Sequence, residues 1–221
     1  MTEMTTAVAA ERLGVSQRQV QRLIAVGGLP ATRTAGDAWV VDSLVVNAME
    51  RARPARGRPW SPARAWAALW QLSGLEVDWL DRRTRSRLDD RLASIDVEEL
   101  LHATRRRAVI HRFRASESFL ADLDALVVAS GVRAMDPSRF GLDPDLRRID
   151  GYCMNEAADR LAGEFHLVED PRGSVTLRVA AVPALEGHDA MPVAVVAADL
   201  AKSLEVRERS AGLRVLEELL R

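Results

Sequence analysis

Side chains that can read the edges of DNA bases lie close together near the start of the sequence. No acidic residue interrupts the set, which consists of Gln17, Arg18, Gln19, Gln21 and Arg22. A glutamine amide can pair with adenine, and an arginine can pair with guanine or contact a phosphate, in the major groove of a duplex. With Ser16 in front of them, these residues are the predicted major-groove contacts. The alternative is an ordinary solvent-exposed helix surface, because Gln and Arg are good helix formers anyway.

The residues around this set predict two short helices joined by a tight turn. Thr5 is typical of a residue that caps a first helix, and Ser16 caps a second helix that runs to residue 26 and ends at a pair of glycines. Ala10 allows the helices to approach closely, Gly14 suits the turn, and Val20 fills the angle between the helices. This Ala-Gly-Val spacing resembles the helix-turn-helix of bacterial repressors.

The segment after the second helix predicts a small hairpin and a closing helix. It reads GGLPATR up to Arg33, turns at residues 35–37, and continues through Trp39 as WVV before Asp42 caps the closing helix. The order of these elements resembles the excisionase-like or MerR-like winged DNA-binding domains. That resemblance implies that the wing contacts the DNA backbone or the minor groove, with Arg33 as the contacting residue and Trp39 in the core.

A basic segment follows the closing helix. Residues 51–59 contain four arginines, two prolines, one glycine and no acid, so they cannot form one regular helix. As an extended arm, Arg53, Arg56 and Arg58 would lie on phosphates or in a narrow minor groove. The segment would serve equally well as a solvated linker between domains, and both interpretations stay open.

The net charge of −1 hides a strong asymmetry along the chain. Residues 1–50 sum to −1, residues 51–114 to +7, and residues 115–221 to −7. The middle of the chain can therefore meet a polyanion that the end of the chain would repel. Thirty of the 31 basic residues are arginine. Because a GC-rich genome also gives a high arginine content, the number of arginines does not by itself indicate phosphate binding, and only their position along the chain can.

Composition and periodicity predict the rest of the fold. Residues 61–107 indicate helices rich in Trp and Leu, and the remainder mixes helix and strand signals. Residues 165–179 predict a hairpin, and the apolar run Val193–Ala197 predicts a strand. The predicted fold class is a mainly α N-terminal winged helix-turn-helix domain (1–53), a basic linker (54–60), and a helical segment with a mixed α+β C-terminal domain (61–221).

The sequence contains no catalytic or metal-binding motif with the required residues at the required spacing and order. The four histidines are scattered, and Gly173-Ser174 follows the Asp-x-Asp pairs that it should precede in a nucleotidyltransferase. We therefore expect no enzyme activity, no metal and no cofactor. The single cysteine, Cys153, excludes an internal disulfide, and no apolar run approaches the ~20 residues that a membrane span needs. These features, with no basic and apolar leader, predict a cytoplasmic protein that does not contact a membrane.

Longer stretches of the chain resemble AbiEi-type antitoxins of bacterial type IV toxin–antitoxin systems. The similar stretches are RPWSPARAWAALWQLSG (58–74), RRRAVIHRFRASESFLADL (105–123), GSVTLRV (173–179) and PVAVVAADLAKSLEVRERSAGLRVLEEL (192–219). The resemblance implies a transcriptional autorepressor that binds inverted repeats in its own promoter, as a possible homodimer, and counteracts a nucleotidyltransferase toxin. AbiEi proteins commonly begin with a different winged helix-turn-helix. The alternative is therefore an excisionase-like architectural DNA-binding protein in recombination.

Overall fold

The chain forms two compact units. The structure, a computed structural model, describes residues 3–25, 28–34, 36, 38–51, 58–171, 173–180 and 188–221. Its contacts divide the chain into Met1–Pro54 and Ala55–Arg221. The predicted domain limits at residues 53 and 60 remain predictions, because residues 52–57 lie outside the described ranges.

The first unit combines short helices with a small antiparallel sheet. In chain order its described elements are β1 (Glu3–Thr5), α1 (Thr6–Leu13), α2 (Gln17–Ala25), β2 (Ala31–Arg33), β3 (Trp39–Asp42) and α3 (Ser43–Arg51). Strand β3 lies in the middle of the sheet: Thr5 faces Val40 on one side and Thr32 faces Val40 on the other. The sheet therefore joins the residues before α1 to the hairpin that follows α2.

The core of the first unit forms where the inner sides of the helices meet the sheet. Ala9 on α1, Val20 on α2 and Val46 on α3 are fully buried, and Leu29 and Val41 complete the contact. Only one residue of α2 is fully buried, so this helix presents most of its surface outward. That amphipathic pattern is the one expected for a helix that leaves a polar face available for a partner.

The predicted fold class, with a mainly α winged helix-turn-helix domain at the N-terminus, is wrong. The chain is 51% helical and 15% strand, with sheets of three and five strands among the described residues, and is a mixed α/β protein. The first unit is itself mixed, because Glu3–Thr5 pairs with β3 instead of leading into α1 as loop. Three residues are too short for an alternating pattern, and strand formation depends on the neighbouring strand more than on intrinsic preference.

The second unit is built on a mixed sheet. Its described strands are β4 (Val109–Arg114), β5 (Val128–Ala129), β6 (Ile149–Cys153), β7 (Val168–Glu169) and β8 (Val175–Val179), in the order β5-β6-β8-β4-β7. Strands β6 and β8 are parallel, with Ile149 facing Val175, and the remaining described pairs are antiparallel. Both central strands are buried along their whole length, which places them inside the unit.

Helices cover this sheet and extend the core beyond it. The described helices are α4 (Pro62–Leu72), α5 (Arg82–Leu92), α6 (Val97–Ala103), a 3-10 turn (Glu117–Phe119), α7 (Leu120–Asp124), α8 (Gly131–Ala134), α9 (Pro137–Phe140), α10 (Asn155–Glu164), α11 (Val193–Leu200) and α12 (Val206–Leu219). The largest apolar cluster packs α4 against α11 and α12, with Trp66 and Leu216 fully buried. Trp66 and Trp70, which the sequence places on one helix face, both lie in this core.

Two secondary-structure predictions for the second unit are wrong. The run from Val193 forms helix α11 instead of a strand, and it is buried from Ala194 to Leu200. A short, uniformly apolar segment suits a buried helix as well as a buried strand, so periodicity could not separate them. The predicted hairpin over residues 165–179 is also absent in the described strands, because β7 pairs with β4, and β8 lies between β6 and β4.

Candidate DNA-binding surface

The turn between α1 and α2 depends on one glycine. Gly14 ends α1 in the left-handed region, at φ 49° and ψ 41°, a conformation that glycine adopts without the strain other residues incur. The N–H of Val15 then donates to the carbonyl of Ala10 at 3.0 Å, which closes the end of the helix. The chain can therefore reverse quickly and start α2 two residues later.

The first turn of α2 is held by a reciprocal pair of hydrogen bonds. The N–H of Gln19 donates to Ser16 Oγ at 3.3 Å, and the N–H of Ser16 donates to Gln19 Oε1 at 2.9 Å. This is a capping box, in which a cap residue and the third helical residue each satisfy the other's backbone N–H. Ser16 and Gln19 therefore fix the start of α2 and its direction.

A third polar residue of the predicted set also has a partner inside the unit. The side-chain amide of Gln17 donates to Thr6 Oγ1 at 3.0 Å and so ties the first turn of α2 to the first turn of α1. Of the six predicted major-groove residues, Ser16, Gln17 and Gln19 thus contribute to the structure of the helix pair. Their side chains remain exposed, and Gln17 Nε2 and Gln19 Oε1 are engaged in these bonds.

The other three predicted residues form one exposed stripe. Arg18, Gln21 and Arg22 are exposed, and within the described ranges their side chains make no hydrogen bond or ion pair. Positions three and four apart lie on the same side of a helix, so these residues share a face. At 100° per residue that face lies opposite the buried Val20. A rigid, capped helix therefore offers an arginine, a glutamine and a second arginine side by side.

The predicted wing residue is supported by an aromatic ring. Arg33 faces Trp39 across the β2–β3 pair, and its guanidinium group lies 4.9 Å from the centre of the Trp39 ring. Trp39 is half-buried, so it supports Arg33 and is not fully enclosed in the core. The N–H of Thr34 donates to the carbonyl of Ala38 at 2.9 Å and closes the hairpin beyond this pair. A cation stacked on an indole is held in place by the ring.

The predicted basic arm is only partly described. Arg58 is exposed at the start of the second unit. Arg53 and Arg56 lie outside the described residues. Sequence reasoning missed another contact, from Arg12 Nη1 to Asn47 Oδ1 at 2.7 Å, which joins α1 to α3. An exposed arginine and an asparagine 35 residues apart give no sequence signal for such a pair.

The second unit contains a buried ionic network that the sequence analysis did not anticipate. Asp199 on α11 accepts from Arg107, from Arg178 Nη1 at 3.1 Å, and from the hydroxyls of Ser130 and Tyr152 at 2.6 Å and 3.2 Å. Arg178 also forms a bidentate pair with Asp150, at 2.6 Å and 2.8 Å. The sequence signal for this network was a charged residue within each of two otherwise apolar strands, Asp150 in IDGYC and Arg178 in VTLRV.

Electrostatics keep this network ionised despite its burial. Burial raises the pKa of Asp199, but the guanidinium groups of Arg178 and Arg107 outweigh it and lower the pKa below its usual value. Burial alone lowers the pKa of Arg107, whereas Tyr152 and Asp199 raise it overall. Arg107 is therefore a structural residue and does not add to a basic surface. The network is buried, and removing one of its charges would leave the others without compensation.

Neither a cluster of metal-ligating side chains nor a membrane-spanning helix occurs among the described residues. No group of three or more His, Cys, Asp and Glu residues in these ranges is placed to hold a metal ion. In the same ranges, no helix has the length and apolar character needed to cross a bilayer. The candidate site of the first unit consists of the exposed stripe on α2 and the stacked Arg33.

Comparison with known proteins gives no relative from which a role could be transferred. No protein-family model, no curated protein and no solved structure matches the chain. The resemblances to AbiEi-type antitoxins and to excisionase-like domains accordingly remain expectations from the sequence, and function rests on the geometry of the chain itself.

Proposed function

We propose that the chain binds double-stranded DNA sequence-specifically, with α2 in the major groove. The observation that carries this proposal is the stripe of Arg18, Gln21 and Arg22, whose donors have no partner within the described ranges. Exposed arginines alone would suit any polyanion. A glutamine between two arginines on one face adds a group that can distinguish adenine from the other bases.

The dimensions of α2 fit the proposed groove. An α-helix with its side chains is about 10–12 Å across, and this diameter is the dimension that a groove has to admit. The major groove of B-form DNA is about 12 Å wide and admits an α-helix. The capping box and the Gln17–Thr6 bond fix the helix before DNA arrives, so binding costs little ordering entropy. Arg33, held on Trp39, would contact a phosphate beside the groove.

The biological role that we propose is transcriptional autorepression coupled to antitoxin activity. It rests on the sequence resemblance to AbiEi-type antitoxins, which implies inverted repeats in the promoter, a homodimer on DNA, and a nucleotidyltransferase toxin as functional partner. The alternative role is architectural DNA binding in recombination, which the resemblance of the first fifty residues to excisionases favours. A neighbouring toxin gene supports the first role, and a neighbouring integrase gene supports the second.

Gel retardation of the protein's own promoter fragment tests the DNA-binding proposal. We expect the wild-type chain to retard this fragment in excess competitor DNA, and Arg18→Ala/Arg22→Ala to lose that retardation while keeping its circular dichroism spectrum. The matched control, Arg160→Ala/Arg207→Ala, removes two other exposed arginines that lack a partner in the described part of the chain. Equal binding by the α2 double variant and the wild type would overturn the proposal.

A further inference from the structure

Three arginines on α4 and α5 of the second unit place positive charges close together, and a bound anion would reduce the repulsion between them. Arg64 on α4 lies against Trp60, with its guanidinium group 4.7 Å from the centre of the ring. Its Nε is buried and makes no hydrogen bond with any described residue. Arg87 and Arg91, one turn apart on α5, add two more positive charges close to it. We call Arg64, Arg87 and Arg91 the arginine cluster.

The charges of the cluster are only partly balanced. Glu99 pairs with Arg91 at 2.7 Å, and both side chains are 42% exposed, so this pair is well solvated. Arg87 is exposed and has no hydrogen-bond or ion-pair partner in the described ranges. Burial lowers the pKa of Arg64, and repulsion by Arg91 and Arg87 lowers it further. Asp89 and Asp90 also stand between Arg87 and Arg91 on α5, and Asp89 accepts from Gln71 Nε2 at 2.8 Å. The exposed guanidinium group of Arg87, which neither aspartate pairs with, is therefore the one that can take up an external anion.

We propose that the arginine cluster binds the phosphodiester backbone of nucleic acid. Three features support this assignment. Arginine donors match the oxygens of a phosphate, as they match those of a carboxylate, in a forked geometry. The indole of Trp60 holds one of the donors in place, and the exposed Arg58 lies two residues before Trp60. The cluster also lies within residues 51–114, the segment with a net charge of +7.

This inference rests on the proposed DNA binding by the first unit, and it adds a second, sequence-independent contact. Phosphate contacts contribute affinity and salt dependence without reading bases. The chain would then combine a helix that selects the sequence with a separate surface that strengthens binding to any sequence. Loss of the cluster should therefore weaken promoter and unrelated DNA by the same factor, whereas loss of the α2 stripe should weaken the promoter selectively.

The salt dependence of binding to a duplex of unrelated sequence is the decisive measurement. Each phosphate contact contributes about 0.9 to the slope of log affinity against log salt concentration. We expect Arg87→Gln to make the slope shallower by about 0.9, and Arg64→Gln/Arg87→Gln by about 1.8. The matched control is Arg82→Gln, an exposed arginine on the other side of α5, which should leave the slope nearly unchanged. Because Arg87 is exposed, its single variant tests the proposal even where the double variant loses stability.

Inorganic phosphate provides a test that does not depend on DNA. At equal ionic strength, phosphate should raise the melting temperature of the full chain above its value in chloride, and Arg87→Gln should reduce that difference. If Arg87→Gln loses this stabilisation but keeps the wild-type slope of log DNA affinity against log salt concentration, the cluster binds another anion and the proposal is overturned. If Arg87→Gln leaves the salt slope unchanged while Arg18→Ala/Arg22→Ala still abolishes promoter binding, only the proposal for the arginine cluster is overturned. Wild-type protein that binds no DNA would overturn both.

Discussion

Ser16 and Gln19 satisfy each other's backbone N–H groups at the start of α2, at 3.3 Å and 2.9 Å. The pair changes the interpretation of Gln19, which by sequence belongs with the base-reading residues. Its side-chain oxygen also accepts from Ser16 Oγ at 3.2 Å, so this oxygen is committed to the cap. The helix face that remains for DNA is narrower than the sequence indicates and consists of Arg18, Gln21 and Arg22.

Gln19 should therefore matter for stability. We expect Gln19→Ala to lower the free energy of unfolding of the first unit by about 1 kcal/mol, since a capping interaction is lost. Gln19→Glu keeps an acceptor at the same position and adds a favourable charge near the helix start, so it should be as stable as the wild type. Denaturant unfolding followed by circular dichroism measures both. If Gln19→Ala keeps full stability and loses base preference, the capping role is wrong.

Gln21 should carry base preference. Replacing it with Ala removes a bidentate donor and acceptor, which should cost about 1–3 kcal/mol on the preferred operator and relax selection at one base pair. Its exposed position means that the free energy of unfolding should not change. Binding titrations on an operator and on a set of single-base variants measure the effect. Uniform weakening on every sequence would make Gln21 a backbone contact.

Asp199 should be the most sensitive charged residue of the second unit. Asp199→Ala leaves the buried Arg107 and part of Arg178 without their carboxylate, and breaking a buried pair of this kind costs about 3–5 kcal/mol. The matched control is Glu218→Ala, which breaks the Arg214–Glu218 pair, whose side chains are 47% and 40% exposed. That change should cost less than about 1 kcal/mol. Equal costs in thermal unfolding would contradict the proposed role of the network.

Lys202, the single lysine of the sequence, should make stability rise with pH. Burial lowers its pKa from 10.5 to about 7, and repulsion from Arg107 adds to the effect. Between these two values the unfolded chain binds a proton that the folded chain has released, so raising the pH favours the folded state. From pH 7 to 8.5 this group should add about 1.5 kcal/mol to the free energy of unfolding.

Lys202→Met serves as the comparison for that pH dependence. The variant cannot titrate at this position. Between pH 7 and 8.5 its free energy of unfolding should therefore rise by about 1.5 kcal/mol less than that of the wild type. The burial-raised pKa of Cys153, about 11, affects both proteins equally and cancels in the difference. Parallel pH profiles for the two proteins, measured by denaturant unfolding, would show that Lys202 keeps its ordinary pKa.

Sequence patterns predicted the parts of the fold that depend on local chemistry. The left-handed Gly14, the buried Val20 and the cap at Ser16 follow from spacing and residue type within twenty residues. The mainly α N-terminal domain was wrong because β1 exists only through its pairing with β3, and such a pairing has no local pattern. Helix α11 was predicted as a strand because an apolar run that is buried on all sides loses its periodicity.

The candidate site was predictable in residue type and only partly in role. The sequence identified the six residues around α2, and the Ser-x-x-Gln spacing was the available signal for the local capping box of Ser16 and Gln19. The sequence could not show that Gln17 bonds to Thr6, because that contact depends on how the two helices meet in space. The network around Asp199 was missed for the same reason, since its members come from residues as far apart as 107 and 199.

Footprinting on the protein's own promoter tests the central claim most directly. Protection should cover an inverted repeat whose half-sites are separated by a whole number of helical turns, about 34 Å each, if a dimer places one α2 in each major groove. The footprint should disappear for Arg18→Ala/Arg22→Ala and persist for Arg160→Ala/Arg207→Ala. Absence of any protected site with the wild-type chain, or an identical footprint with the α2 double variant, would contradict the proposal that α2 reads DNA.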